Sequence, residues 1–271
     1  MRSNIIICFN FIDDNKIIAG KNNKQGIINL KNETIIPFEY DFIYTPRNNY
    51  AIASKDEKYG LIDLNNNVIV PFEFANLSIM SDDTLFGNRE NMDCINYLYD
   101  FKGNKICDTS FDYNCALGND EIKTDYYIAS HRHENCIGLA DKFGKPIIDF
   151  KYKEFNPTYS KKENKFYFIV QNNLGAWGVI DIDNNVIIPF IYDDIKSSGD
   201  IDMGIIAGKN DLYGLIDLNN DILIDFKFKD IRSLNENGIT FAQTDNLKWG
   251  LINIKGESLK YDLSDVKELK L

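Results

Sequence analysis

One stretch of this chain is written several times over. Residues 58–72 read Lys-Tyr-Gly-Leu-Ile-Asp-Leu-Asn-Asn-Asn-Val-Ile-Val-Pro-Phe. Residues 177–190 read Trp-Gly-Val-Ile-Asp-Ile-Asp-Asn-Asn-Val-Ile-Ile-Pro-Phe, and 213–226 read Tyr-Gly-Leu-Ile-Asp-Leu-Asn-Asn-Asp-Ile-Leu-Ile-Asp-Phe. The anchor of the pattern falls at Gly26, Gly60, Gly138, Gly178, Gly214 and Gly250, with a degenerate copy at Tyr97. Successive anchors lie 34, 37, 41, 40, 36 and 36 residues apart. A module of that length cannot bury its apolar flanks alone and must stack on its own copies.

Fixed offsets from the anchor keep one chemical character. Three places on stands Asp or Asn: Asn29, Asp63, Asp100, Asp141, Asp181, Asp217, Asn253. Six places on stands Asn or Gly: Asn32, Asn66, Gly103, Gly144, Asn184, Asn220, Gly256. Fourteen places on the residue is aromatic in all but the last copy: Tyr40, Phe74, Phe111, Tyr152, Tyr192, Phe228. Asn and Gly adopt positive φ most readily, so the sixth place predicts a tight hairpin, of type I′, capped by the preceding Asp. The flanking Ile, Val and Tyr runs favour strand, and Pro37, Pro71 and Pro189 exclude a helix there. A third apolar run precedes each anchor, as in residues 50–54 and 204–208, and a short fourth is expected near residues 193–195. The strands are apolar on both faces and need cover on both sides. The expectation is an all-β chain of about seven tandem antiparallel units forming a single domain over residues 1–271, β-propeller-like, with an open β-solenoid as the alternative.

At these residues the chain resembles the bacterial WG-repeat family, whose hallmark is an aromatic-Gly pair followed by Leu-Ile-Asp and a Val-Ile-Pro segment. The motif stands at Tyr59-Gly60-Leu61-Ile62-Asp63, Trp177-Gly178-Val179-Ile180-Asp181, Tyr213-Gly214-Leu215-Ile216-Asp217 and Trp249-Gly250-Leu251-Ile252. Its tail is kept in residues 37–43 and 189–195. The resemblance implies an all-β repeat array and brings no shared catalytic set.

Chemistry is sparse. The chain has 271 residues, 41 acidic against 30 basic, a net charge of −11, and only two His. An acidic surface argues against binding nucleic-acid phosphate. The apolar opening run at residues 5–9 stops at Asn10, too soon for a signal peptide, and no run is long enough to span a membrane. Five scattered cysteines suit a reducing cytoplasm better than a disulfide framework. No Walker loop, nucleophile elbow or zinc-protease motif occurs, so the chain is expected to be neither an enzyme nor a cofactor carrier. His131 and His133 with Cys136 have an order that supplies three zinc ligands; a solvated turn before the fourth anchor is the plainer reading. The repeated Asp residues read as turn caps rather than as a calcium ring.

The irregular middle, residues 80–92 and 108–125, departs from the template and is where binding is expected, because loops on a rigid scaffold carry recognition. Its candidates are Asp82, Asp83, Glu90, Asp93, Asp112, Asp120, Glu121, Asp125, Tyr126 and Tyr127. The functional expectation is a protein–protein interaction module. One alternative is an acidic inhibitor or immunity-type protein that covers a basic groove of a nuclease or toxin. The other is a glycan or small-ligand binder that uses ring aromatics.

Overall fold

The structure is a computed structural model that describes residues 7–80, 84–89, 95–118, 122–131, 135–245 and 248–259. It is all-β among those residues, apart from one short 3-10 turn at Ile201–Met203. The strands form seven sheets. Sheets 1 to 6 span residues 7–40, 42–74, 76–109, 111–152, 154–192 and 194–228, with four strands each, and sheet 7 spans 230–253 with three. Each sheet is a meander in chain order. In sheet 2 the strands are Phe42–Ile43, Tyr50–Lys55, Lys58–Asp63 and Val68–Phe74, paired antiparallel. The short run expected near residues 193–195 is real, at Asp194–Lys196, and opens the following sheet. The chain divides into two compact units, residues 1–134 with 140–145, and residues 135–139 with 146–271.

The turn six places after the anchor differs in type from the sequence expectation. Asn66 N donates to Asp63 O at 3.1 Å, and Asp63 N donates to Asn67 O at 3.0 Å. This is a three-residue loop with one positive-φ residue, Asn66 at 66°. A type I turn followed by a left-handed residue closes the hairpin in that way. The type I′ geometry, which needs two consecutive positive φ values, sits instead between the second and third strands. It falls at Asn22-Asn23, Asp56-Glu57 and Asn210-Asp211. The capping Asp acts as expected: Asp63 Oδ1 accepts from Asn65 N at 2.9 Å and Asn67 N at 2.8 Å. The anchor glycine is fixed by its own sheet: a Cβ on Gly60 would lie 2.7 Å from the Val70 carbonyl oxygen of the fourth strand.

Neighbouring sheets share apolar cores. Ile18, Ile27, Ile36 and Tyr40 of sheet 1 pack on Ala51, Ala53 and Ile62 of sheet 2. Ile206, Leu215, Ile224 and Phe228 of sheet 6 pack on Ile231, Ala242 and Ile252 of sheet 7. Two repeat positions meet across these interfaces. Tyr40 OH donates to Asn66 Oδ1 at 2.7 Å, Tyr152 OH to Asn184 Oδ1 at 2.7 Å, and Tyr192 OH to Asn220 Oδ1 at 2.6 Å. The same tyrosines lie against the next sheet's phenylalanines, Phe72 at 5.7 Å, Phe190 at 6.1 Å and Phe226 at 5.9 Å between centroids. At the other three junctions the aromatic is Phe74, Phe111 or Phe228, and the next copy's turn residue is Gly103, Gly144 or Gly256.

The outer, fourth strands carry a guard at one register. Eleven places after the anchor stands Pro37, Pro71 or Pro189, or else Asp108, Asp149 or Asp225. Proline withholds a donor and a charge resists a second strand, so both blunt an exposed edge.

Candidate functional site

The recurring polar residues are spent on the fold. Besides Asp63, Asp181 Oδ1 accepts from Asn185 N at 2.8 Å, and Asp217 Oδ1 accepts from Asn219 N at 2.9 Å and Asp221 N at 2.8 Å. Burial works against the Asp63 carboxylate, yet hydrogen bonds from Asn67 and Asn65 outweigh it and hold its pKa below the ordinary value. An open cleft of about 500 Å³ between sheets 1 and 2 is lined by Lys16, Ile35, Asn49, Tyr50, Asp63 and Leu64. Its charges are already engaged, Lys16 with Asp13 at 2.7 Å and Asp63 with its turn.

The sequence candidates divide. Asp82, Asp83, Glu90, Asp93, Asp120, Glu121 and His133 lie outside the described residues. The first hairpin of sheet 4, Phe111–Gly118 with Lys123–His131, is drawn out and accounts for the 41-residue spacing. Asp112 Oδ1 accepts from the buried Asn96 Nδ2 at 2.8 Å, which pins it to sheet 3. Asp125 is exposed and lies 3.3 Å from Lys142 Nζ. Tyr126 is half-buried. Tyr127 is core: its ring meets Tyr113 edge-on at 5.4 Å, and its OH donates to Met80 O at 3.1 Å. His131 packs edge-on against Phe111 at 6.3 Å, and Cys136 is half-buried. Among the described residues no three His, Cys, Asp or Glu side chains are grouped to hold a metal.

Variation concentrates at positions the sequence reading passed over. Seventeen places after the anchor, on the first strand of the next sheet, stands a buried apolar residue in five copies, Ile43, Leu77, Phe155, Ile195 and Ile231, whereas the third copy has the exposed Asn114 there. Strand alternation turns its two neighbours the other way. In the first unit those neighbours are Phe42 with Tyr44, and Asn76 with Ser78, all exposed. In the second unit they are Glu154 with Asn156, Asp194 with Lys196, and Asp230 with Arg232. The outer member of the pair lies over the ring before the anchor. Tyr44 is 6.4 Å from Tyr59, Lys196 Nζ is 4.1 Å from the Tyr213 ring, and the Arg232 guanidinium is 5.0 Å from the Trp249 ring. Burial works against the Lys196 charge, but Asp230 at 3.2 Å and Tyr213 outweigh it and raise its pKa. Sheets 2, 3, 5, 6 and 7 thus join a constant scaffold to a varied pair of side chains on the first strand. The signal was present in the sequence, as variation beside a position that is apolar in five of six copies.

The family described as WG containing repeat matches residues 26–59, 59–84, 137–174, 177–199 and 213–247. No curated protein matches the sequence. Among solved structures the chain is similar to a eukaryotic initiation factor, at 9% identity and TM-score 0.36 over 94% of this chain and 86% of that one. It is also similar to Hsv2p of Kluyveromyces lactis, at 11% identity and TM-score 0.34 over 96% and 76%. The WD40 β-propeller domain of Doa1 matches at 11% identity and TM-score 0.30 over 91% and 90%. These overlaps are too loose to carry any feature of those proteins to this chain.

Proposed function

The chain belongs to the WG containing repeat family, and we propose that it is a non-enzymatic protein–protein interaction module. One observation carries the reading: the recurring side chains are spent on turns and cores, while the pair flanking the buried apolar residue of the first strand varies, as at residues 42–44, 194–196 and 230–232. The proposal includes a cytoplasmic location, supported by the free thiols Cys107, Cys115 and Cys136.

The finer reading is an inhibitor or immunity-type protein whose acidic surface covers the basic groove of a nuclease or toxin. The net charge of −11 favours it. A glycan-binding reading is favoured by one feature, the exposed ladder in which Phe42 and Tyr44 meet edge-on at 4.9 Å.

The test captures partners from native extract with the wild-type chain and with the Phe42→Ala/Tyr44→Ala and Lys196→Ala/Arg232→Ala variants, at low and high salt. A protein recovered stoichiometrically by the wild type and lost with one exposed pair supports the module. If salt also releases it, the basic-groove partner is supported. Turnover of a substrate by the purified chain, or capture indifferent to both variants, overturns the proposal. Retention on a glycan array that vanishes in Phe42→Ala/Tyr44→Ala replaces it with the third reading.

A further inference from the structure

The capped five-residue turn recurs outside the template, in the first hairpin of sheet 7. Asn235 Oδ1 accepts from Asn237 N at 3.0 Å and Ile239 N at 2.9 Å, and Gly238 N donates to Asn235 O at 2.9 Å. Gly238 takes the left-handed place, at φ +69°. The turn at residues 63–67 is built in the same way, with Asp63 as the cap. What differs is the residue before the left-handed one. Where that place is Gly103, Gly144, Gly175 or Gly256, the residue before it is Lys102, Phe143, Leu174 or Lys255, and none of these has a side-chain carbonyl carbon that the backbone could attack. Asn219 does carry an amide, but Asn220 follows it, and Asn219 Nδ2 donates to Asp217 Oδ2 at 3.3 Å. Asn237 is the one asparagine in the chain followed by glycine. It is exposed, and its side-chain amide has no hydrogen-bond partner among the described residues.

We propose that Asn237 is a site of spontaneous deamidation, held in check by the Asn235 cap. Gly238 has no side chain to shield its backbone nitrogen. Once that nitrogen gives up its proton, it attacks Cγ of Asn237. The new C–N bond closes a five-membered succinimide, and the side-chain amide nitrogen leaves with the proton as ammonia. Water then opens the ring at one of its two carbonyl carbons, giving aspartate or isoaspartate at residue 237. The conversion needs no reactant but water. The folded turn opposes it, because the Gly238 N–H is engaged by Asn235 O and the two cap bonds fix the backbone on either side. The reaction therefore runs through the open turn, and its rate follows the fraction of molecules in which that turn is undone. Isoaspartate routes the main chain through the side-chain carbon and lengthens the turn by one methylene. Leu234, which sits beside the turn in the core shared by sheets 6 and 7, is loosened with it, as is Thr240, whose Oγ1 donates to Arg232 O at 2.6 Å.

Incubation of the full chain in mildly alkaline buffer tests it, read by peptide-mapping mass spectrometry and isoaspartate-specific methyl labelling. Residue 237 is expected to be converted, and more than about tenfold faster when the chain is unfolded in urea. Asn235→Ala is expected to speed conversion in the folded chain about tenfold, since two hydrogen bonds to the cap are lost. Asn235→Asp keeps the cap in the form that Asp63 gives it, and is expected to hold the wild-type rate. Unchanged far-ultraviolet circular dichroism establishes that both variants are folded. An unfolded chain that leaves residue 237 an asparagine overturns the site. A folded wild type that converts as fast as the unfolded chain overturns the control by the cap, and so does an Asn235→Ala rate equal to the wild-type one.

Discussion

The junctions between consecutive sheets come in two kinds. Sheets 1–2, 4–5 and 5–6 are latched, each by a tyrosine hydroxyl that crosses to the next sheet's turn asparagine. Sheets 2–3, 3–4 and 6–7 have phenylalanine where the donor would be and glycine where the acceptor would be. The hydroxyl and the amide travel together or are absent together at all six junctions. The physics is that of a buried polar group: satisfied it contributes modestly, unsatisfied it costs its desolvation. A junction with one half of the pair is worse than either complete solution. Sheets 3–4 are tied elsewhere, since the buried Asn96 of sheet 3 donates its Nδ2 to Phe111 O and Asp112 Oδ1 of sheet 4, both at 2.8 Å.

The largest effect that would break this contrast comes from converting a smooth junction halfway. Gly103 has φ +84°, and a Cβ there would run into the Ile69 carbonyl oxygen. Gly103→Asn is expected to cost about 2–3 kcal/mol, because asparagine accepts the φ but the backbone does not give way. Urea titration measures it, and a cost near zero would show that φ alone selects the glycine. Next, Tyr152→Phe strands the Asn184 amide and is expected to cost about 1–2 kcal/mol. The sharper version is a cycle at the same junction. Tyr152→Phe with Asn184→Gly should cost less than the sum of the single changes, by about 1 kcal/mol. Strict additivity would mean that the two residues do not act as a unit.

The smallest effect is alkaline. Burial, with the neighbouring Glu39 carboxylate adding to it, pushes Tyr40 up to about 12 from its ordinary 10. A folded-state pKa above the unfolded one gives stability that is whole below pH 10 and is lost as pH rises through 10 towards 12. The wild type should therefore lose stability across that window more steeply than Tyr40→Phe, while Phe74→Leu leaves the slope unchanged. Parallel slopes for wild type and Tyr40→Phe would remove the Tyr40 hydroxyl from the account.

Much of this was legible in the residues. The anchor, the capping Asp and the alternating apolar runs specify a β module because each is a local requirement of a hairpin. The turn type was misjudged because Asn66 alone does not say whether its neighbour is also left-handed; the decisive doublets, Asp56-Glu57 and Asn210-Asp211, lie one hairpin earlier and hold residues that tolerate the region less well. The Tyr–Asn association was also present as letters. Its meaning needed the offset of one sheet on the next, which no single repeat contains. The acidic middle drew the search for a site, yet its described members Asp112 and Tyr127 serve the packing of sheets 3 and 4.

The split latch also bears on how such a gene can grow. Copies 1 and 5 carry both asparagine and tyrosine, and copy 3 carries both glycine and phenylalanine, so each matches itself end to end like a double domino. Duplicating one of them in tandem creates a junction already correct in its chemistry. Copies 2 and 6, with asparagine first and phenylalanine last, and copy 4, with glycine first and tyrosine last, convert one suit to the other and fit only between unlike neighbours. Unequal recombination within copies 1, 3 or 5 therefore yields foldable descendants at once, whereas doubling copy 2, 4 or 6 strands a hydroxyl or an amide until a second change arrives.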